Sequence, residues 1–266
     1  HRYLAAERNF YGLLRVTTEL ETGEHTQMIK LMNGTILHGQ QLSDPKRRDE
    51  STSYYGPKSG VGRVIKLLQQ KQHLRVGVIG LGAGVIASYC RPGDTFRYYE
   101  INPLDIALAN RYFTFLRDCP GDCKVLQGDA RLTLERQSPQ QFDLLAVDAF
   151  TSDSIPIHLL TREAFALYFR HIAPHGILAV HVTNRYLNLV PIVARNGDEL
   201  QRPAYQMMDD GKDADYLAAT DWMLVGPDTH MFVLLGFQGA SIIRRGAPKT
   251  LRTWTDDFSN LYEVLK

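Results

Sequence analysis

From residue 60 onward the sequence predicts an α/β fold, a mostly parallel sheet with helices on both faces, preceded by a small N-terminal β-domain. Three observations predict it. Short apolar runs alternate with stretches of helical periodicity, and that alternation builds a parallel sheet covered on both sides. The first such run, "RVGVIG", opens into Gly80, Gly82 and Gly84, which permit a tight strand-to-helix turn. Residues up to about Leu42 instead read as strands joined by turns. The division is therefore placed at residues 1–58 and 59–266.

The elements follow in order. "NFYGLLRVTTEL" is rich in aromatic and β-branched residues, and "ETGEH" reads as a hairpin turn. "TQMIKLMNGTILHGQQL" gives two strands about Asn33-Gly34, a hairpin signal. "SDPKRRDESTS" is a polar, loop-like connection. "GVGRVIKLLQQ" is a short helix, and "RVGVIG" and "FRYYEIN" are strands. "PLDIALANRYFTFLRD" is a helix with Pro103 suited to its first turn. "CKVLQGD" and "FDLLAVDAF" are strands. "TREAFALYFRHI" is a helix capped by Thr161, and "GILAVHV" is a further buried strand. "DWMLVG" and "MFVLLGF" are expected to form an antiparallel strand pair.

Composition narrows the function. The 266 residues are 44% hydrophobic and 22% charged with a net charge of +1, so a substantial core is available. Lys and Arg form no long run, and no nucleic-acid partner is implied. The longest apolar stretches are far shorter than the roughly 20 residues a membrane helix needs. Cys119 and Cys123 in "CPGDC" are expected to be a reduced pair beside a turn in a cytoplasmic setting, with no metal site. The chain starts at His1, which reads as a fragment or processed product without a visible signal peptide.

In a sheet of this type, ligands sit at the carboxyl ends of the strands. "GLGAG" ends the first strand. Val85 stands where a dinucleotide fingerprint carries its third glycine, which disfavours a pyrophosphate ligand. Glu100 ends the next strand and can accept both ribose hydroxyls, with Ile101 beside it. Asp129 in "GDA", followed by Ala130, can accept from an adenine amino group. Asp148 ends the fourth strand in "VDAF". Three carboxylates and a glycine loop at one sheet edge point to an adenosine-containing ligand such as S-adenosylmethionine. His38 is expected either to face that ligand or to bond backbone. His158 is a candidate base or a cap. Asp256 and Asp257 are a carboxylate pair whose commoner role is capping or solvation. His171 and His175 flank a helix end, where positive charge is favoured.

The order of "LHGQQ", "YYGPKSGVG", "GLGAG", "YYEIN", "QGDA" and "VDAF…IP" resembles spermidine synthase and the related aminopropyltransferases, closest to spermidine-synthase-like domains fused to bacterial membrane transporters. The tail, "NRYLNLVPIV" and "TWTDDFSNLYEVL", resembles that branch too. The resemblance implies a methyltransferase-like Rossmann domain behind an N-terminal β-domain, and a homo-oligomer, a dimer. It implies S-adenosylmethionine or decarboxylated S-adenosylmethionine as co-substrate, and a small polyamine-like amine acceptor. An attached transporter, making this the cytosolic domain of a membrane protein, is also implied. Position by position, Gln40 or Gln41 resembles the glutamine near the sulfonium, and Tyr54 and Tyr55 the Tyr-His pair that closes the site. Glu100 and Asp129 resemble the ribose and adenine acids, and Asp148 the first acid of the gate.

Two departures bear on the reaction. Ala83 stands where the family has an aspartate for the donor amine. The second gate acid falls near Thr151, with Asp153 as its stand-in. The expected activity is aminopropyl-type transfer with release of methylthioadenosine, carried by Asp148 and Asp153. The alternatives are an S-adenosylmethionine-dependent methyltransferase and a non-catalytic nucleoside-sensing domain. Ala83 favours the donor that retains its carboxylate.

Overall fold

The computed structural model describes residues 2–20, 27–149, 156–227, 229–237, 239 and 241–266. The expected turn at Glu21–His25, Thr151 and Asp153 lie outside the described residues.

Four antiparallel strands form the N-terminal sheet in sequence order: β1 (Arg2–Asn9), β2 (Gly12–Leu20), β3 (Gln27–Asn33) and β4 (Ile36–Leu42). The β3–β4 turn falls at Asn33-Gly34, as expected, with Asn33 opposite Ile36. Among the described residues, this sheet shares a core with the unit that follows. Leu14, Val16 and Leu31 are buried in the same apolar cluster as Val64, Val76 and Leu144 of the following unit. The boundary near residue 58 thus separates two sheets rather than two cores.

After α1 (Gly60–Leu68), the chain alternates through β5 (Arg75–Ile79), β6 (Thr95–Glu100), α2 (Pro103–Tyr112), β7 (Asp122–Gln127), α3 (Ala130–Arg136), β8 (Phe142–Val147), α4 (Arg162–His171) and β9 (Ile172–His181). It closes with α5 (Val190–Glu199), β10 (Ala204–Asp209), β11 (Thr220–Val225), α6 (His230–Phe237) and β12 (Ile242–Arg245). Eight strands form one sheet in the order β12-β10-β11-β9-β8-β5-β6-β7. Strands β5 to β9 pair in parallel, and β10, β11 and β12 join antiparallel. Alternation places Leu144 and Ala146 in the cluster shared with α1 and the N-terminal sheet, and Leu145 and Val147 in the cluster under α4 and α5. All six residues of β8 are buried, the mark of a central parallel strand.

Caps set several helix starts. Asn102 accepts from Leu104 N before α2, Asp129 from Leu132 N before α3, and Thr161 from Ala164 N before α4.

Three expectations change. "DWMLVG" is β11, paired with β9 and β10, but "MFVLLGF" is part of α6 rather than its partner. A short apolar run does not reveal its period; here Phe232 and Leu235, three apart, are buried while Val233 and Leu234 face out. Cys119 and Cys123 form a disulfide of 2.10 Å rather than a reduced pair, because the Pro120–Asp122 turn brings their Cα atoms to 6.4 Å. His171 is fully buried, and burial lowers its pKa, so the helix end does not hold a charged imidazole there. Among the described residues, no helix is long and apolar enough to cross a membrane.

Candidate active site

The strand order reverses between β5 and β8, and a cavity of about 360 Å³ opens at the carboxyl edge there. Gly80, Gly82, Glu100, Ile101, Asp129, Ala130, Asp148 and Tyr55 all line it. Residues 75–148 of the sequence thus deliver the expected ligand wall from four successive strand ends.

The glycine loop is shaped by close approach. Gly82 has φ +52°, and a Cβ there would overlap the carbonyl oxygen of His38 on β4. That same carbonyl accepts from Ala83 N at 3.1 Å, which fastens the N-terminal sheet to the loop. Gly80 has φ +95° and lies against the backbone of Asp148. A 3-10 turn, Val85–Tyr89, follows the loop where a regular helix usually begins, with Gly84 at its start. Gly84 is not part of the cavity wall. Ala83 is 1% exposed and packs against Gly39, so position 83 presents no side chain to a donor amine.

Glu100 is buried and doubly held. Its Oε2 accepts from Leu81 N at 2.9 Å and its Oε1 from Asn102 N at 2.7 Å. Each oxygen retains a lone pair for a ribose hydroxyl. Burial raises its pKa, against the pull of those backbone donors. Asp105, one turn into α2, also lines the cavity. Its Oδ2 accepts from Asn102 Nδ2 at 3.0 Å, and its buried Oδ1 has no partner among the described residues. Burial first, then the charge of Glu100, raises its pKa to about 8. Asn102 in turn accepts from Asn9 Nδ2 at 2.6 Å, tying β1 to this acidic corner.

Asp129 divides its oxygens. Oδ1 caps α3, while Oδ2 lies 3.3 Å from His158 Nε2. His158 is therefore a partner of Asp129 rather than a helix cap, although its carbonyl accepts from Arg131. Asp148 accepts from the Tyr55 hydroxyl at 2.5 Å through Oδ2, and its Oδ1 lies 2.7 Å from His181 Nδ1. Burial first, and then the Asp148 charge, holds Tyr55 as a neutral phenol. His38 lines the cavity, and among the described residues its Nε2 has no hydrogen-bond partner, backbone included. Burial lowers its pKa to about 4, partly offset by the Asp148 charge.

Two expected residues lie elsewhere. The Gln41 amide donates to the Arg48 carbonyl and to Thr114, and accepts from Thr114 N, so it braces the loop after β4 and does not reach the cavity. Gln40 is likewise turned away, donating to the Tyr216 carbonyl at 2.8 Å. Gln40 and Gln41, one and two residues after Gly39, lie past the contact with the glycine loop, whereas His38 stands before it. Asp256 receives both terminal nitrogens of Arg131, at 2.7 and 2.8 Å, and the Thr161 hydroxyl. It fastens the C-terminal segment, and its pKa falls to about 2 chiefly through Arg131.

Sequence reasoning missed His181, Asp105, Thr183 and Arg185, all in the cavity wall. His181 was recoverable: it ends "GILAVH", and every other parallel strand is followed within two residues by a residue that lines the cavity.

No family model matches the sequence. Over 112 residues the chain is 32% identical to the polyamine aminopropyltransferase of Vibrio vulnificus (strain CMCP6), a match covering 40% of this chain and 37% of that protein. The matched stretch is thus similar to a polyamine aminopropyltransferase. The match spans well under half of that relative's length. The fold is shared with solved structures: a probable spermidine synthase from Corynebacterium glutamicum ATCC 13032 superposes with a TM-score of 0.68 at 15% identity, covering 97% of this chain and 98% of that one. A spermidine synthase in complex with the transition-state analogue AdoDATO gives 0.61 at 11% identity, covering 96% and 82%. At such identities these two likenesses concern the fold alone.

Proposed function

We propose that this chain is a transferase that binds S-adenosylmethionine or its decarboxylated form and passes an aminopropyl-type group to a small, polyamine-like amine, releasing methylthioadenosine. One observation carries the reading: a single cavity holds the glycine loop, Glu100 and Asp129 along one stretch and an oriented carboxylate, Asp148, at the next strand end. The first three suit a nucleoside. The last suits a cationic centre and an attacking amine.

In this reading Glu100 takes the ribose hydroxyls and Asp129 Oδ2 the adenine amino group. Asp153 takes the proton of the acceptor ammonium, freeing the amine lone pair, while Asp148 stays ionised and accepts a hydrogen bond from that nitrogen. The nitrogen attacks the methylene next to the sulfonium. The C–N bond forms as the C–S bond breaks, and the bonding pair returns to sulfur, leaving neutral methylthioadenosine. Positive charge moves from sulfur to nitrogen, and Asp148 stands where it can stabilise that charge as it develops. Asp153 of the gate segment is retained as its proposed partner. Similarity to a polyamine aminopropyltransferase and to spermidine synthases supports this donor and acceptor class.

Incubation with each sulfonium donor and a mixture of diamines and polyamines, followed by mass spectrometry of the nucleosides, tests the proposal. Methylthioadenosine is the expected product. S-adenosylhomocysteine instead would identify a methyltransferase, and binding without any product a sensing domain.

A further inference from the structure

We infer that His181 is a positioning residue for Asp148, a neutral donor that keeps this carboxylate ionised and aimed at the acceptor amine. The inference rests on the reaction proposed above, and it begins from register. Val147 of β8 pairs with Val180 of β9, so Asp148 and His181 emerge side by side at the carboxyl edge. Each oxygen of Asp148 then meets one protein donor site: His181 Nδ1 at Oδ1 and the Tyr55 hydroxyl at Oδ2. A carboxylate has about four lone-pair positions, so acceptor capacity remains for an ammonium.

The imidazole is clamped. It is 3% exposed, stacks on Trp222 at 4.6 Å with planes 14° apart, and meets Tyr54 at 5.3 Å. Its orientation is therefore set by packing as well as by hydrogen bonds.

The direction of its bonds follows from the carboxylate it faces. Behind the ring, Thr183 Oγ1 accepts from Asp221 N at 2.7 Å and keeps a proton and a second lone pair. That hydroxyl lies 2.8 Å from His181 Nε2, and the Thr220 hydroxyl lies at 3.1 Å. An ionised carboxylate only accepts, so Nδ1 carries the proton toward Asp148. In the neutral ring Nε2 then accepts from one of the two hydroxyls, and the donors run one way, from hydroxyl through His181 to Asp148. An imidazolium here would cancel the Asp148 charge. A neutral donor leaves that charge available to the cationic substrate and strengthens it as an oriented acceptor.

The test compares His181→Asn, whose amide can place an N–H near the position of Nδ1, with His181→Leu, which fills space without a donor. Turnover and methylthioadenosine affinity are measured on each, and the histidine nitrogens are observed by NMR in the full chain and in Asp148→Asn. We expect His181→Leu to lose about 100-fold in kcat while nucleoside affinity stays within about threefold. His181→Asn should retain at least about a tenth of wild-type kcat. NMR should show the Nδ1-protonated tautomer, with its signal displaced in Asp148→Asn. Full activity in His181→Leu overturns the inference, as does a collapse in His181→Asn equal to that in His181→Leu, which would assign a proton relay. If the wild-type chain turns over no donor, the proposed reaction fails, and the tautomer alone decides: an Nε2-protonated ring overturns the inference and an Nδ1-protonated ring supports it.

Discussion

Tyr55 donates its phenol to Asp148 at 2.5 Å, a bond that joins the segment before α1 to the end of β8. The Tyr55 side of the cavity wall and the orientation of Asp148 are therefore joined by one bond. Tyr55→Phe keeps the buried ring and removes the donor. A hydrogen bond to a charged group is worth about 1.5–3 kcal/mol, so kcat should fall about ten- to hundredfold. Nucleoside affinity, measured on the same preparation, should hardly change. An unaltered kcat would separate Tyr55 from the reaction.

Glu100→Gln should act on binding instead. The amide turns one of its two acceptor ends into a donor, facing either Leu81 N or Asn102 N. It also weakens a charge-assisted bond to the ribose. Calorimetry with methylthioadenosine should show affinity about ten- to hundredfold weaker. Equal affinity would remove the ribose assignment.

Asp105 makes stability depend on pH in an unusual direction for an acid. Its pKa rises from an ordinary 3.8 to about 8 on folding. Across that window the folded chain holds a proton that the unfolded chain has released. Its contribution to stability is complete below the ordinary value and is lost as pH rises through about 8. Asp105→Asn keeps the shape and removes the titration. The Tm of the variant relative to wild type should therefore increase between about pH 5 and about pH 8. A pH-independent difference would contradict the buried, charge-coupled setting described for Asp105.

Asp256→Asn should affect the fold and spare the site. The Arg131 partner is mostly buried, with 13% of its side chain exposed, but Asp256 is 43% exposed, and solvent screens the pair. The cost is expected at about 1 kcal/mol. Chemical denaturation should show this loss, with nucleoside affinity unchanged. A large fall in affinity would place Asp256 in the binding machinery.

Much of this was legible because strand ends carry the chemistry. Alternating periodicity located β5 to β9, and Glu100, Asp129 and Asp148 each follow an apolar run, so sheet geometry alone gathers them. What was lost depended on contacts between distant segments. Gln41 sits in a motif whose direction is set by Thr114, 73 positions away. Asp105 reads as an ordinary first-turn acid, and only its burial beside Glu100 distinguishes it. The α6 run is too apolar to show a period, and the Cys119–Cys123 bond depends on a turn rather than on spacing. His181 was overlooked because its partner, Asp148, lies across a strand pairing.

The central claim, that one cavity joins nucleoside binding to an oriented carboxylate, is tested most directly by methylthioadenosine release in wild type and Asp148→Asn, with donor affinity measured on the same samples. The account predicts donor-dependent release by the wild-type chain, about 100-fold slower in Asp148→Asn, and equal donor affinity in the two. Release at the same rate from both would contradict it.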